Sequence, residues 1–384
     1  MKKPRILALN AYYLPGYKGG GSIRAVVNLV GHLKGDFEFV VLTGEHDLNE
    51  SQAYSTEARA ATVAQEGYEI RYLPKGISLI QEMSQVLAKP WDLIYLNSFF
   101  SSGYAILPIL LFRMRGRRKT PLVVAPRGEL MEGALRNKRW KKLFFIAVAR
   151  LVGHFRGVIV HATSEDEAAG IRALKLGQSA IMLAPDLPPR TEAEIPLEFT
   201  KIEGKLRVVF VSRIDPKKNL HFAIRTLSKL RVPVEFDVVG PVVDSVYWAE
   251  CQQLIASMRK NIRVRYLGSV PHSEILGIFA AYDVFFLPTL AENNGYVILE
   301  ALLAGCPVLL SNQTPWRGLE SIGVGKDLPL EDPDAFLLAL EELASLSPEA
   351  HADMRRRAQA YGRARLQASG DVEATRAMFM KALG

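Results

Sequence analysis

A chain of 384 residues, 49% hydrophobic and 23% charged, is long enough for two domains with separate cores and too ordinary in composition for a fibrous or disordered protein. Its formal net charge of +8 is uneven: residues 1–184 carry 25 Lys+Arg against 15 Asp+Glu, and residues 185–384 carry 23 against 25. No apolar run approaches the roughly 20 residues that cross a bilayer. No helix-turn-helix, zinc or RNP pattern favours a nucleic-acid partner.

The opening MKKPRILALNAYYLPG has cations before an apolar run, as a leader would. The run is short, and Asn10 and a glycine-rich loop follow it, so it reads as a buried strand. GYKGGGS (16–22) is the turn into a helix with apolar residues at helical spacing, IRAVVNLVGHL. Three consecutive glycines let a backbone approach a phosphate or sugar, but G-x-G-x-x-G spacing and a Walker lysine are both lacking. FEFVVLTG, DLIYLNS (92–98), PLVVAPR (121–127) and GVIVHAT (157–163) are further strands. Continuous apolar strands separated by helices predict a parallel sheet covered on both faces.

APDLPPRTEAEIP (184–196), with four prolines and no periodicity, reads as an interdomain linker. The second half repeats the plan with RVVFVSR (207–213), VEFDVVGP (234–241), VRYLGS (264–269), VFFLPT (284–289) and PVLLSN (307–312). From Pro348 the chain is a long Ala/Arg/Leu-rich helical stretch. The expected domains are 1–185 and 186–365, with 366–384 a helix returning to the first. Cys251 and Cys306 have no ligand spacing and read as reduced thiols of a cytoplasmic protein.

Two segments carry chemistry. In VSRIDPKKNL (211–220), Arg213 ends a strand and Lys218 opens the next helical element, so two cations converge where a diphosphate binds. Lys217 reads as a solvated neighbour. In PTLAENNGYVILEALLAGCPVLLSNQTPW (288–316), Glu292 sits in a loop after a strand, Asn293, Asn294 and Gly295 follow, and Glu300 lies inside a helix. Backbone N–H groups there suit an anion and carboxylates suit hydroxyls, which together point to a nucleotide sugar. Glycosidase carboxylates stand about 5–9.5 Å apart, whereas eight residues along a helix span about 12 Å, so the pair leans away from hydrolysis.

The GGG loop with Arg24 behind it, TSEDE (163–167), SRIDPKKN, VVGP, the ENNG…E segment and TPW (314–316) together resemble glycosyltransferase family 4, retaining nucleotide-sugar enzymes of the GT-B fold. The resemblance runs nearly end to end. It implies an α/β fold of two Rossmann-like, doubly wound domains facing a central cleft. It implies that Arg213 and Lys218 hold and stabilise the donor diphosphate, and that Glu292 contacts the transferred sugar. Asn293, Asn294 and Gly295 would offer N–H groups, Glu300 would take the ribose, and Gly20 and Gly21 would approach the donor from the first domain. The co-substrate would be a UDP- or GDP-sugar, with no metal or other cofactor.

There are departures. The family often has His–Gly where this chain has Arg127–Gly128, and Asn-Gly-Val-Asp where it has APDL (184–187). Asn294 stands where an aromatic is usual. Arg127 and Ser164 are accordingly expected near the sugar or acceptor. These departures keep open a catalytically silent nucleotide-sugar-binding partner protein, and the fold keeps open an epimerase or phosphorylase.

RMRGRRK (113–119) and RNKRWKK (136–142) each carry five cations, and the second runs into LFFIAVARLVG. Arg136, Lys138, Arg139, Trp140, Lys141 and Lys142 form an interfacial pattern of cations and aromatics suited to an anionic membrane surface. Expected is a transferase acting on a cell-surface glycan or lipid-linked acceptor (lipopolysaccharide, O-antigen, capsule or exopolysaccharide), cytoplasmic and peripheral at the inner membrane face.

Overall fold

The computed structural model describes residues 2–116, 120–131, 134–135, 139–190, 196, 200–367 and 370–384. The chain divides into two compact units, Met1–Arg190 with Ser369–Gly384, and Thr191–Ala368.

The first unit is a seven-stranded parallel sheet of β1 (Arg5–Leu9), β2 (Glu38–Gly44), β3 (Glu69–Leu73), β4 (Leu93–Asn97), β5 (Leu122–Ala125), β6 (Ile159–Ala162) and β7 (Ala180–Leu183). Their order is β3-β2-β1-β4-β5-β6-β7. Alternate residues feed two cores. Leu7, Leu9, Leu42, Ile94, Leu96 and Val124 face one layer, and Ile6, Ala8, Val41, Leu93, Tyr95 and Val123 face the other. Each such fully buried aliphatic contributes about 1.5–3 kcal/mol. The helix Gly21–Leu33 covers the second face with Ile23, Val26, Leu29, Val30 and Leu33, which recur every three or four residues.

The stretch from Pro348 forms two helices, Pro348–Gln367 and Gly370–Leu383. The second packs on the first unit. Phe379 stacks on Tyr95 at 5.4 Å between ring centroids and lies 5.5 Å from Phe37.

Of the expected linker 184–196, residues 191–195 lie outside the described residues, and the segment 184–190 is packed onto the first unit. Ala184 and Leu187 are buried. Its prolines lack N–H groups, so it is held through its carbonyls: Asn28 Nδ2 donates to Leu187 O at 3.0 Å, His32 Nε2 meets Pro188 O at 3.0 Å, and Thr375 reaches Pro185 O at 3.5 Å. Arg190 donates to Gly31 O at 2.9 Å.

The second unit is a six-stranded parallel sheet of β8 (Leu206–Val211), β9 (Val234–Val239), β10 (Ile262–Gly268), β11 (Val284–Leu287), β12 (Val308–Ser311) and β13 (Gly325–Leu328), in the order β10-β9-β8-β11-β12-β13. Its core is built on Val208, Phe210, Phe236, Val238, Phe285 and Leu309. In each unit strand order reverses beside the first strand, between β1 and β4 and between β8 and β11. Loops leaving the carboxyl ends of those strands diverge there and open a crevice for a ligand.

Candidate functional site

The β8/β11 switch point brings the two chemistry-bearing segments together. After β8 the chain passes Arg213, and Asp215 accepts from the Lys218 N–H at 3.3 Å to cap the short helical turn Pro216–Lys218. After β11 the loop is tied to that turn: Leu290 N donates to Lys217 O at 2.8 Å and the Thr289 hydroxyl donates to the same carbonyl at 3.1 Å. Glu292 N donates to Gln313 O at 2.9 Å, and Trp316 Nε1 donates to Asn294 O at 2.9 Å. These bonds deliver the Lys218 ammonium onto the Glu292 carboxylate in a short, nearly buried ion pair. Arg213 stands beside it with no hydrogen-bond or ion-pair partner among the described residues. Lys217 departs from expectation: it is half-buried, not solvated, and burial together with the Lys218 charge lowers its pKa.

Burial pushes the Glu292 carboxyl up, but the charge and hydrogen bond of Lys218, with the charges of Lys217 and Arg213, outweigh it and hold the group below its ordinary value. Glu292 is therefore an ionised acceptor, suited to sugar hydroxyls and not to donating a proton. The stability this pair contributes is complete above the ordinary value of 4.5 and is lost as pH falls through the lower folded value. Glu292→Gln should then be less stable than the parent by about 2 kcal/mol. Melting curves should show that gap unchanged from about pH 8 to about pH 5 and closing only below the ordinary carboxylate range.

Gly295, at φ 75°, is the left-handed residue preceding the helix Tyr296–Leu303. A Cβ there would meet Ile298 Cδ1 at 2.8 Å and Trp316 Nε1 at 3.1 Å, so glycine is required by both backbone and space. The helix starts against the Glu292–Asn294 turn and aims its positive end there. Glu300 is buried within it, with His272 Nδ1 3.7 Å from Glu300 Oε1. His272 was not anticipated, because nothing in its spacing ties it to a helix 28 residues on.

In the first unit, the glycine-rich loop runs from β1 into the helix Gly21–Leu33. Gly20, at φ 59°, precedes that helix and Gly21 begins it. The buried Asp47, on the loop after β2, accepts from Tyr17 N at 2.9 Å and Lys18 N at 3.1 Å and so holds the loop's shape. A separation of 30 positions between Tyr17 and Asp47 hid this strut.

Two expected acceptor-side residues have structural tasks. Ser164 caps the helix Glu165–Leu174 by accepting from Glu167 N at 3.1 Å. Arg127 turns inward and pairs with Asp186, its side chain 11% exposed, so its charge is matched within the unit.

Among the surface residues, Arg136 and Lys138 lie outside the described residues. Arg139, Trp140 and Lys141 are exposed on the helix Arg139–Leu151. Lys142 departs from expectation: it faces the fold, donating to Ala134 O at 2.7 Å and lying 5.3 Å over the Phe100 ring. Trp140, Phe144 and Leu151 are 84%, 73% and 87% exposed. No described helix is long and apolar enough to cross a membrane. Cys251 and Cys306 are buried free thiols, and burial pushes them up to about 11 and about 12.

Two family descriptions match the chain. "Glycosyl transferase 4-like domain" covers residues 20–185 and "Glycosyl transferases group 1" covers residues 192–364. An uncharacterized 41.2 kDa protein of the cps region of Klebsiella pneumoniae is 23% identical over 62% of this chain and 66% of its own length. The O-antigen chain mannosyltransferase B of Escherichia coli is 30% identical over 34% of this chain. The match thus spans about two thirds of the first relative and 35% of the second. The Anabaena protein HepE, crystallised with UDP and glucose, shares the fold at a TM-score of 0.68 and 18% identity, covering 99% of both chains. With a matching family description on each unit and this fold over its length, the chain belongs to the GT-B glycosyltransferases of the family 4 type.

Proposed function

We propose that the chain transfers a hexosyl group from a nucleoside-diphosphate sugar to a growing cell-surface glycan or lipid-linked acceptor, with retention at the anomeric carbon. The observation that carries this is Arg213, without a partner among the described residues, beside the Lys218–Glu292 pair at the β8/β11 switch point. Breaking a glycosyl–phosphate bond builds negative charge on the departing diphosphate. Cations fixed in advance at that place lower the barrier without rearranging. Lys218 gives one N–H to Glu292 and keeps two for phosphate oxygens. Glu292, held ionised, accepts from sugar hydroxyls, and the N–H groups of Asn293, Asn294 and Gly295 bind sugar and phosphate. Glu300 takes the ribose hydroxyls, and Gly20 and Gly21 admit the donor from the first unit.

HepE, which shares the fold, was crystallised with UDP and with UDP-glucose, so UDP-sugars head the donors to try and GDP-sugars follow. A relative in a cps region and an O-antigen mannosyltransferase support a surface-polysaccharide acceptor. We place the reaction at the cytoplasmic face of a membrane. Residues 93–128 and 133–164 contain no acidic residue. Trp140, Phe144, Leu151 and Val152 stand exposed beside Arg139, Lys141 and Arg150. Met114, also exposed, lies on the helix Leu107–Met114, which Arg113 ties to the turn after the helix Arg139–Leu151 by donating to Gly153 O at 2.6 Å. Cations meet lipid phosphates while aromatics enter the headgroup boundary.

A thermal-shift panel of UDP, GDP, ADP and their sugars tests the donor site, since a ligand that binds only the folded chain raises its melting temperature. One nucleotide series should stabilise the protein, and Glu300→Ala should weaken that nucleotide about 10–100-fold. No shift with any nucleotide would sink the donor reading. Free nucleoside diphosphate formed stoichiometrically with a glycosylated product separates transfer from epimerisation, phosphorolysis or silent binding. For the membrane, the Trp140→Ser/Phe144→Ser double variant should lose about 10²-fold in partition onto anionic vesicles. Equal binding of parent and variant in co-sedimentation would remove that surface.

A further inference from the structure

The two places where the sequence departs from the family pattern in the first unit, Arg127 and the APDL segment, meet in space. Arg127 and Asp186 form a short ion pair, with side chains 11% and 5% exposed. Arg127 has a left-handed backbone, φ 53°, which is uncommon for a residue other than glycine, asparagine or aspartate. Its guanidinium works in three directions at once. Besides Asp186, Nε donates to Asn97 Oδ1 at 2.8 Å and one terminal nitrogen donates to the Tyr95 hydroxyl at 2.6 Å.

Each arm continues. Burial, with the Arg127 charge beside it, holds His161 down at about 3, so its ring is neutral at ordinary pH. Tyr95 therefore donates to His161 Nδ1 at 2.8 Å, and His161 Nε2–H donates to Ala184 O at 2.7 Å. On the other arm Asn97 Nδ2 donates to Ser22 O at 3.2 Å and to Asn10 Oδ1 at 3.3 Å. Ser22 Oγ donates to Asn10 Oδ1 at 3.0 Å, and Asn10 Nδ2 donates to Ser22 O and Tyr12 O. Asn10 and Asn97 are buried. Every proton in this array has one consistent direction, and the array ends on the first turn of the helix that follows the glycine-rich loop.

We infer that Arg127 is a positioning residue for the glycine-rich loop: anchored by Asp186, it fixes Ser22 and the Gly20–Gly21 backbone through Asn97 and Asn10. The two departures are then one paired change. A lysine would satisfy Asp186 but has no planar fork to reach Asn97 and Tyr95 together. The consequence for turnover rests on the donor role proposed for Gly20 and Gly21, but the support of the loop does not.

The test is hydrogen–deuterium exchange on the full chain without substrate, comparing the parent, Arg127→Lys and Asp186→Asn. Exchange over residues 10–24 should rise about tenfold in both variants, while residues 212–219 and 284–300 keep parental rates. Combining the two substitutions should add little beyond either alone, because they break one array. Parental exchange in Arg127→Lys, or faster exchange spread evenly over the unit, would overturn the inference. Should Arg127→Lys not fold, Asp186→Asn carries the comparison. In the kinetic assay kcat should fall about tenfold with donor KM within about twofold, since the second unit's contacts are untouched; a change confined to KM would count against positioning. Loosening of the loop in a protein with no transferase activity would refute the proposed function and leave this inference standing.

Discussion

Lys218→Ala should lower turnover by about 10²–10³ with little change in donor KM. Its ammonium lies where the loops after β8 and β11 converge, held there by the Asp215 cap and the Glu292 carboxylate. If it serves the departing diphosphate, its contribution grows as charge develops, so its loss falls on kcat. Arg213→Ala should behave alike, although the two substitutions differ in their effect on the fold. Arg213 has no partner among the described residues, so its removal should leave the melting temperature almost unchanged. Lys218→Ala strands a nearly buried Glu292, which should cost a few kcal/mol in addition. Lys218→Arg restores the charge and separates the two effects. Steady-state kinetics with the donor identified by the nucleotide panel checks this, and near-normal kcat in both alanine variants would remove the diphosphate assignment.

Gly240→Ala should destabilise the second unit by about 3–5 kcal/mol, lowering its melting temperature by on the order of 10 °C. Gly240, the glycine of VVGP, directly follows β9 with φ 136°. A Cβ there would lie 2.0 Å from Ser212 O, 2.7 Å from Ser212 C and 3.4 Å from Arg213 N. Nothing flexible is available to yield, since the obstacle is the backbone that carries Arg213. Activity should therefore fall further than stability alone explains, because relief of the clash moves the guanidinium. Calorimetry with kinetics well below the melting point distinguishes the two losses. A parental melting temperature would show that β8 and β9 are not this close.

The sheets were legible because their inner strands are buried on both faces and read as unbroken apolar runs. LIYLN in β4 and LVVA in β5 are buried at every position. β3 (EIRYL) and β13 (GKDL) were not found. Both are edge strands, paired on one side only, and neither needs an apolar run to form. Gly325, Lys326 and Asp327 carry a strand because β12 offers them a ladder. The site in the second unit was legible for a related reason. Its residues sit on two loops that the strand order brings together, so locating the strands located the loops. The inward role of Arg127 was not legible, since its partners Tyr95 and Asn97 on β4 and Asp186 after β7, with His161 of β6 behind Tyr95, come from three different segments. The same holds for Lys142, whose helix position says nothing of the Phe100 ring beneath it. Proline content suggested an interdomain linker at 184–196, yet in its part 184–190 a segment poor in N–H groups is rich in unmatched carbonyls, and Asn28, His32 and Thr375 supply what these lack.

The last helix sets an order of events during synthesis. Phe379 closes the first unit against Tyr95, Phe37 and Phe39, yet it leaves the ribosome after the whole second unit. At about 5–20 residues per second, the interval between Arg190 and Leu383 lasts about 10–40 s. Through that interval the nascent first unit carries an uncovered aromatic patch, and the Tyr95 end of the Arg127 array has no lid. The second unit, contiguous from Thr191 to Ala368, meets no such delay. It is the first half of the chain, though translated earlier, that matures last and that a chaperone would need to guard.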